Sequence, residues 1–230
     1  MTHIVIIDHE TPVDTDNGVR HLTERGFDVR HYRPDLGESL PDADDSLAGI
    51  IVTGGPQYVS ELDRFPYLRD EMAFIGEAMA ASIPLLGICL GGQLVAAHLG
   101  GKVDFDTQGH VAFGYYPLRV TDAGGAWFPN DLMVLAGNAQ GFSLPAGATL
   151  LAAGEPFPNQ AFLYGETTVA LQFHPEVTRP ILDFWQQALA GNIGKPGTQT
   201  LAEQDRGFQR YNNRLTEWYR LFLDRFFKTP

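Results

Sequence analysis

Three short apolar runs, Ile4-Val5-Ile6-Ile7, Ile50-Ile51-Val52 and Leu85-Leu86-Gly87-Ile88, constrain this chain more than any other feature. Each is short for a helix and too uniformly apolar for a strand with one wet face. They read as strands covered on both sides. Such strands belong to mostly parallel sheets, in which helices form the crossovers. The sequence between the runs agrees. A short helix is expected after the first run, stopping near Gly26, and Phe27 to Tyr32 alternates as a second strand. Residues 35–46 carry Asp35, Glu38, Asp42, Asp44 and Asp45 and read as an exposed acidic connection. Residues 67–81 place Met72, Ile75, Ala78 and Met79 at helical spacing, ahead of Pro84. A small-residue helix is expected from the end of the third run to Leu99, with Gly100-Gly101 as its stop.

The second half changes character. Residues 111–113, Tyr115 to Val120, Met133 to Ala136, Thr149 to Ala152, Ala161 to Tyr164 and Val169 to Phe173 read as short strands between turn residues. Two helices are expected to close the chain. The last spans 200–227, opens on a Thr200/Glu203 capping box and carries Phe208, Tyr211, Leu215, Trp218, Phe222 and Phe226 along one stripe. That stripe is read as core packing. The expectation is one α/β domain over 1–230, an open, mostly parallel sheet flanked by helices with antiparallel additions in its second half.

Charge and cysteine count narrow the function. The formal net charge is −12, and an acidic surface repels phosphate backbones and anionic headgroups, so neither nucleic acid nor membrane is expected as a partner. Residues 201–230 reverse the sign and read as a solvated basic helix face. No apolar run approaches the ~20 residues that span a bilayer, and Asp8 arrives too early for a signal peptide. A cytoplasmic location is expected. Cys89 is the single cysteine, which rules out an intramolecular disulfide and a cysteine-rich zinc site. The seven histidines show no metal-ligand spacing, and no metal is expected.

That cysteine stands in Leu86-Gly87-Ile88-Cys89-Leu90-Gly91-Gly92-Gln93, where an apolar strand meets Gly-x-Cys-x-Gly and then a helix. Strand, sharp turn and helix make a nucleophile elbow, here with sulfur in place of a hydroxyl. Small neighbours leave room for the turn, and the helix N-terminus favours a thiolate. The amide of Leu90 is then aimed at an oxyanion formed on any carbonyl that Cys89 attacks. A base and its orienter are available in Gln172-Phe173-His174-Pro175-Glu176. Residues i and i+2 of an extended segment share a side, and Pro175 biases His174 toward that geometry. His174 is therefore the candidate proton carrier, and Glu176 the carboxylate that fixes its tautomer. Gly54-Gly55-Pro56 follows the second run, at a strand end where open parallel sheets bind ligands, and a free Gly55 N–H is a candidate second oxyanion donor. Asp8-His9-Glu10, at the end of the first run, reads as a polar cap.

Taken together, Gly54-Gly55-Pro56, Gly87 to Gln93 and Phe173 to Glu176 resemble the class I (triad-type) glutamine amidotransferases, in the family's order, over roughly residues 48–178. Pro158-Asn159-Gln160-Ala161-Phe162 is similar to stand-alone members related to the amidotransferase part of GMP synthetase. The resemblance implies a flavodoxin-like sheet and a catalytic triad of Cys89, His174 and Glu176. It further implies that Cys89 forms a glutamyl thioester and releases ammonia, that Gly55 and Leu90 make the oxyanion hole, and that Gln93 contacts bound glutamine. One segment departs from the family. Where many relatives carry His-(Gly/Ser)-Asp, this chain has Gly137-Asn138-Ala139-Gln140.

Phosphate-binding Gly-x-x-x-x-Gly-Lys-Ser/Thr and dinucleotide Gly-x-Gly-x-x-Gly patterns are absent, so no cofactor is expected. An ammonia acceptor would have to be a synthetase subunit in trans. Three functions stay open at this point: a stand-alone glutaminase or amidotransferase subunit, a γ-glutamyl hydrolase using the same triad, and a binding module with a vestigial site. The intact triad disfavours the last.

Overall fold

The structure, a computed structural model, describes residues 2–9 and 16–228, so Glu10 lies outside the described residues. The chain runs β1 (His3–Ile7), α1 (Asn17–Glu24), β2 (Asp28–Tyr32), β3 (Leu47–Val52), α2 (Tyr67–Ala80), β4 (Leu85–Ile88), α3 (Leu90–His98), β5 (Val103–Phe105), β6 (Ala112–Pro117), β7 (Arg119–Val120), β8 (Met133–Asn138), β9 (Gln140–Phe142), β10 (Thr149–Ala153), β11 (Asn159–Tyr164), β12 (Thr168–Leu171), α4 (Arg179–Ala188) and α5 (Leu201–Phe226).

Alternation explains why the apolar runs contain no polar face. Ile4 and Ile6 of β1 enter one apolar layer while Val5 and Ile7 enter the other. Ile51 opposes Ile50 and Val52 in the same way, and Val169 and Leu171 oppose Ala170. With a period of two and helices on both faces, every position of a central strand needs an apolar residue. Each such aliphatic side chain contributes about 1.5–3 kcal/mol of burial.

The main sheet has eight strands in the order β2-β1-β3-β4-β12-β11-β10-β7. The pairs from β2 to β12 are parallel, and those from β12 to β7 are antiparallel. The mostly parallel sheet with antiparallel additions is thus observed. β12 comes from the second half of the chain but pairs directly with β4, Leu171 opposite Ile88. That pairing brings the end of β12 beside the end of β4.

Two sequence expectations need correction. Tyr115 to Val120 is not one strand. It breaks at Leu118, whose side chain is buried and whose N–H bonds to Leu132. Residues before the break form β6, paired with β8 in a separate two-stranded sheet, and residues after it form β7 at the edge of the main sheet. β5 and β9, three residues each, pair with one another and were not anticipated.

The last helix behaves as expected. Thr200 and Glu203 complete the capping box, and Leu215, Trp218, Phe222 and Phe226 are buried in the layer that also holds Phe173. Trp218 lies 5.8 Å from Phe173, centroid to centroid. The aromatic stripe therefore braces the residue immediately before His174.

Candidate active site

β4 ends at Ile88, and the next residue turns so sharply that Cys89 has φ +49° and ψ −103°. A non-glycine residue in such a region costs about 1–3 kcal/mol and persists only where its surroundings over-determine it. Here they do. Cys89 N–H donates to Leu171 O at 2.8 Å, and Cys89 O accepts from Gln93 N–H at 2.8 Å, opening α3. The first turn of α3 is wedged against β3: a Cβ on Gly91 would fall 2.1 Å from Val52 O. Any side chain there would lift the helix from the sheet and take the elbow with it.

β12 leads through Gln172 and Phe173 to His174, whose N–H is fixed by Leu135 O at 2.8 Å. Nδ1 of His174 lies 2.7 Å from Oε1 of Glu176. A carboxylate only accepts, so Nδ1 carries the proton and Nε2 is left for other work. Both side chains are almost wholly enclosed, and the ring of Trp185 meets that of His174 edge-on at 4.5 Å. Burial opposes a charge on His174, but the Glu176 carboxylate and then the charge and hydrogen bond of Cys89 outweigh it, pushing the pKa up to about 10. Cys89 and the imidazole both border Gly54 and face the same cleft.

Cys89, His174, Gly55 and Gln93 all line one cleft of about 170 Å³. Glu176 sits behind His174, and Leu90 turns its side chain into the core while beginning α3. Among the described residues no group of three or more His, Cys, Asp or Glu is placed to hold a metal ion.

The sequence model for Glutamine amidotransferase class-I matches residues 5–181. The chain belongs to the class I glutamine amidotransferase family. Over 226 residues it is 30% identical to the glutamine amidotransferase-like protein YfeJ of Salmonella typhimurium, covering 93% of each chain. It is also 30% identical over 179 residues to the glutamine-hydrolyzing GMP synthase of Streptomyces avermitilis, a match that covers 73% of this chain but 32% of the synthase. Among solved structures, a glutamine amidotransferase from Thermotoga maritima superposes with a TM-score of 0.86 at 26% identity, covering 99% of this chain and 98% of that one.

In this member of the family the departing segment has a visible role. Gln140 accepts from Val59 N–H at 3.2 Å and donates to Ser60 Oγ at 3.0 Å, so it pins the loop that follows Gly54-Gly55-Pro56. Asn138 donates to Gln140 O at 2.9 Å, and its Oδ1, buried on the cleft wall, has no partner among the described residues. Gln93 lines the cleft with its amide already engaged: Nε2 donates to Gln140 O at 2.8 Å and Gln172 Oε1 at 3.3 Å.

Several site residues escaped the sequence reading. Gln172 directs Nε2 at the Cys89 sulfur from 3.7 Å. Its signal was available, since it stands two residues before His174 on an extended segment and shares that side. Trp185 and Phe184, on α4, gave no local sign of facing the cleft. Asp16 caps α1 through bonds from Gly18 and Val19 N–H. Burial first, then the charge of Glu176, push its pKa up to about 8 against those two backbone bonds.

Proposed function

We propose that this chain hydrolyses the side-chain amide of glutamine through a Cys89 thioester and releases ammonia for an acceptor held by a separate synthetase subunit. The placement of Cys89 in one cleft with a histidine whose Nδ1 is bound to a buried carboxylate carries the reading. The Cys89 thiolate attacks the γ-carbonyl, and the N–H groups of Gly55 and Leu90 receive the oxyanion. His174 gives its proton to the departing amine, leaving ammonia and a glutamyl thioester. His174 then takes a proton from water, whose oxygen attacks the thioester, and returns it to sulfur as glutamate leaves. Glu176 holds the required tautomer throughout. We assign the protein to the cytoplasm, where reducing conditions keep a catalytic thiol free.

A second reading, γ-glutamyl hydrolysis, is favoured by one observation. Beside His174, where a leaving amine departs, the cleft wall is Phe184, Trp185, Ala188 and Leu189 of α4 and the turn after it, and among the described residues no carboxylate, lysine or arginine lines the cleft. Such a wall suits an amine bulkier and less polar than ammonia. Steady-state kcat/KM for L-glutamine and for a panel of γ-glutamyl dipeptides separates the two. Glutamine hydrolysis that an added synthetase accelerates supports the first, and a hundredfold preference for a dipeptide replaces it with the second. In either case Cys89→Ala abolishes turnover; turnover that survives this change refutes both.

A further inference from the structure

The end of β1 holds a buried ion pair that the triad does not use. Nε2 of His9 meets both carboxylate oxygens of Glu71, at 2.9 and 3.1 Å, and neither side chain has any solvent exposure. Glu71 belongs to α2, whereas His9 lies just past β1, so the pair joins a helix to a strand end. Taking two charges out of water costs several kcal/mol per ion, and apolar residues of like volume often serve stability as well or better. Stability alone is therefore a weak reason for such a pair. Its location supplies a better one.

His9 packs on Gly55. A Cβ on Gly55 would fall 2.6 Å from His9 Cβ, 2.7 Å from Gln57 Oε1 and 2.9 Å from Leu90 Cδ2, so these three side chains pack closely on the glycine. The turn is tied to β1 from the other side as well, because Thr53 donates its N–H and its hydroxyl to Ile7 O, both at 3.0 Å. Gly55 and Leu90 are the two oxyanion donors of the proposed reaction. A donor N–H is effective only when held where the oxyanion forms, about 2.7–3.1 Å away.

We propose that His9, anchored by Glu71, is a positioning residue that holds the Gly55 amide in the oxyanion hole. This rests on the thioester reading above. His9 is the member of the pair that packs against Gly55, through its Cβ, while its Nε2 is held by Glu71 on α2. Burial opposes the charge on His9, while the hydrogen bond and charge of Glu71, then Asp8 and Asp35, hold its pKa above the ordinary imidazole value. Nearby, Asp8 Oδ2 accepts from His31 at 2.6 Å and Asp35 accepts from Arg33 at 2.6 and 2.7 Å, while Asp8 Oδ1 and His9 Nδ1 are buried with no partner among the described residues.

The test compares two reactions of Cys89 in the full chain. Iodoacetamide alkylates sulfur at an sp³ carbon and expels iodide, with no oxyanion for Gly55 to hold. Amide hydrolysis needs that oxyanion. His9→Gln and Glu71→Gln each keep a hydrogen-bonding partner of similar size and remove one charge. Expected for both is a 10- to 100-fold lower kcat on whichever of L-glutamine and γ-glutamylphenylalanine the wild type turns over, with KM and the iodoacetamide rate constant within about twofold of wild type. Unchanged kcat in a folded variant overturns the positioning role and leaves the proposed function standing. A parallel fall in the iodoacetamide rate overturns it too, because the elbow as a whole has then moved. If both variants unfold, the pair serves stability and the proposal fails. Absence of wild-type turnover on every γ-glutamyl amide overturns the proposed function and this role with it.

Discussion

Gly54 lies flat against His174: a Cβ placed on the glycine would fall 2.5 Å from Cε1 of the imidazole and 3.4 Å from Cβ of Cys89. The end of β3 is thus the floor on which the sulfur and the ring meet. Gly54→Ala should displace the ring while sparing the fold, and a misplacement near 1 Å costs on the order of 10²-fold in rate. Measured kcat within threefold of wild type would show that the ring has room to yield.

His174 and Glu176 should separate cleanly in a mutant series. His174→Ala removes the proton carrier, whereas Glu176→Gln keeps the shape and spoils tautomer and charge. The second loss of kcat should be smaller than the first by roughly tenfold to a hundredfold. Equal losses would assign the proton chemistry to the pair as a unit.

The proton on His174 also sets an alkaline limit. Its pKa rises from 6.5 to about 10 in the folded chain, so the associated stability is complete below about pH 6.5 and is lost as pH rises through about 10. Amide turnover, which needs that proton for the leaving amine, should fall over the same upper limb. Rates followed from pH 7 to pH 11 check this, and a decline centred near neutrality would contradict it.

Asp16 carries a consequence of the same sign at lower pH. Its carboxyl is raised from 3.8 to about 8, so the folded chain holds a proton that the unfolded chain releases. Stability from this group is full below about pH 3.8 and declines as pH rises toward 8, by at most about 1.4 kcal/mol per pH unit. Asp16→Asn keeps the cap on α1 and removes the titration. Urea denaturation at several pH values should show the wild type losing ground to the variant between pH 4 and pH 8; parallel curves would exclude the effect.

The central strands and the elbow were readable because their signals are local. A continuous apolar run reports burial on both faces, and Gly-x-Cys-x-Gly between strand and helix reports a turn that few sequences allow. His174 and Glu176 were readable through alternation on an extended segment. What stayed hidden depends on partners distant in sequence. β5 and β9 are too short to show a period, and Leu118 breaks a strand through a bond to Leu132. Trp185 looks like any helix aromatic until α4 is packed against the cleft. His9 reads as a polar cap because Glu71, its partner, is recognisable only once α2 lies over the end of β1.

The place of β12 between β4 and β11 has a consequence for synthesis. On the ribosome, Cys89 is translated well before His174, and the two meet only when β12 docks beside β4. Every nascent chain that ends between the two carries the thiol without the imidazole that the proposed reaction requires. The proposed chemistry therefore waits until the last strand of the sheet has found its neighbours.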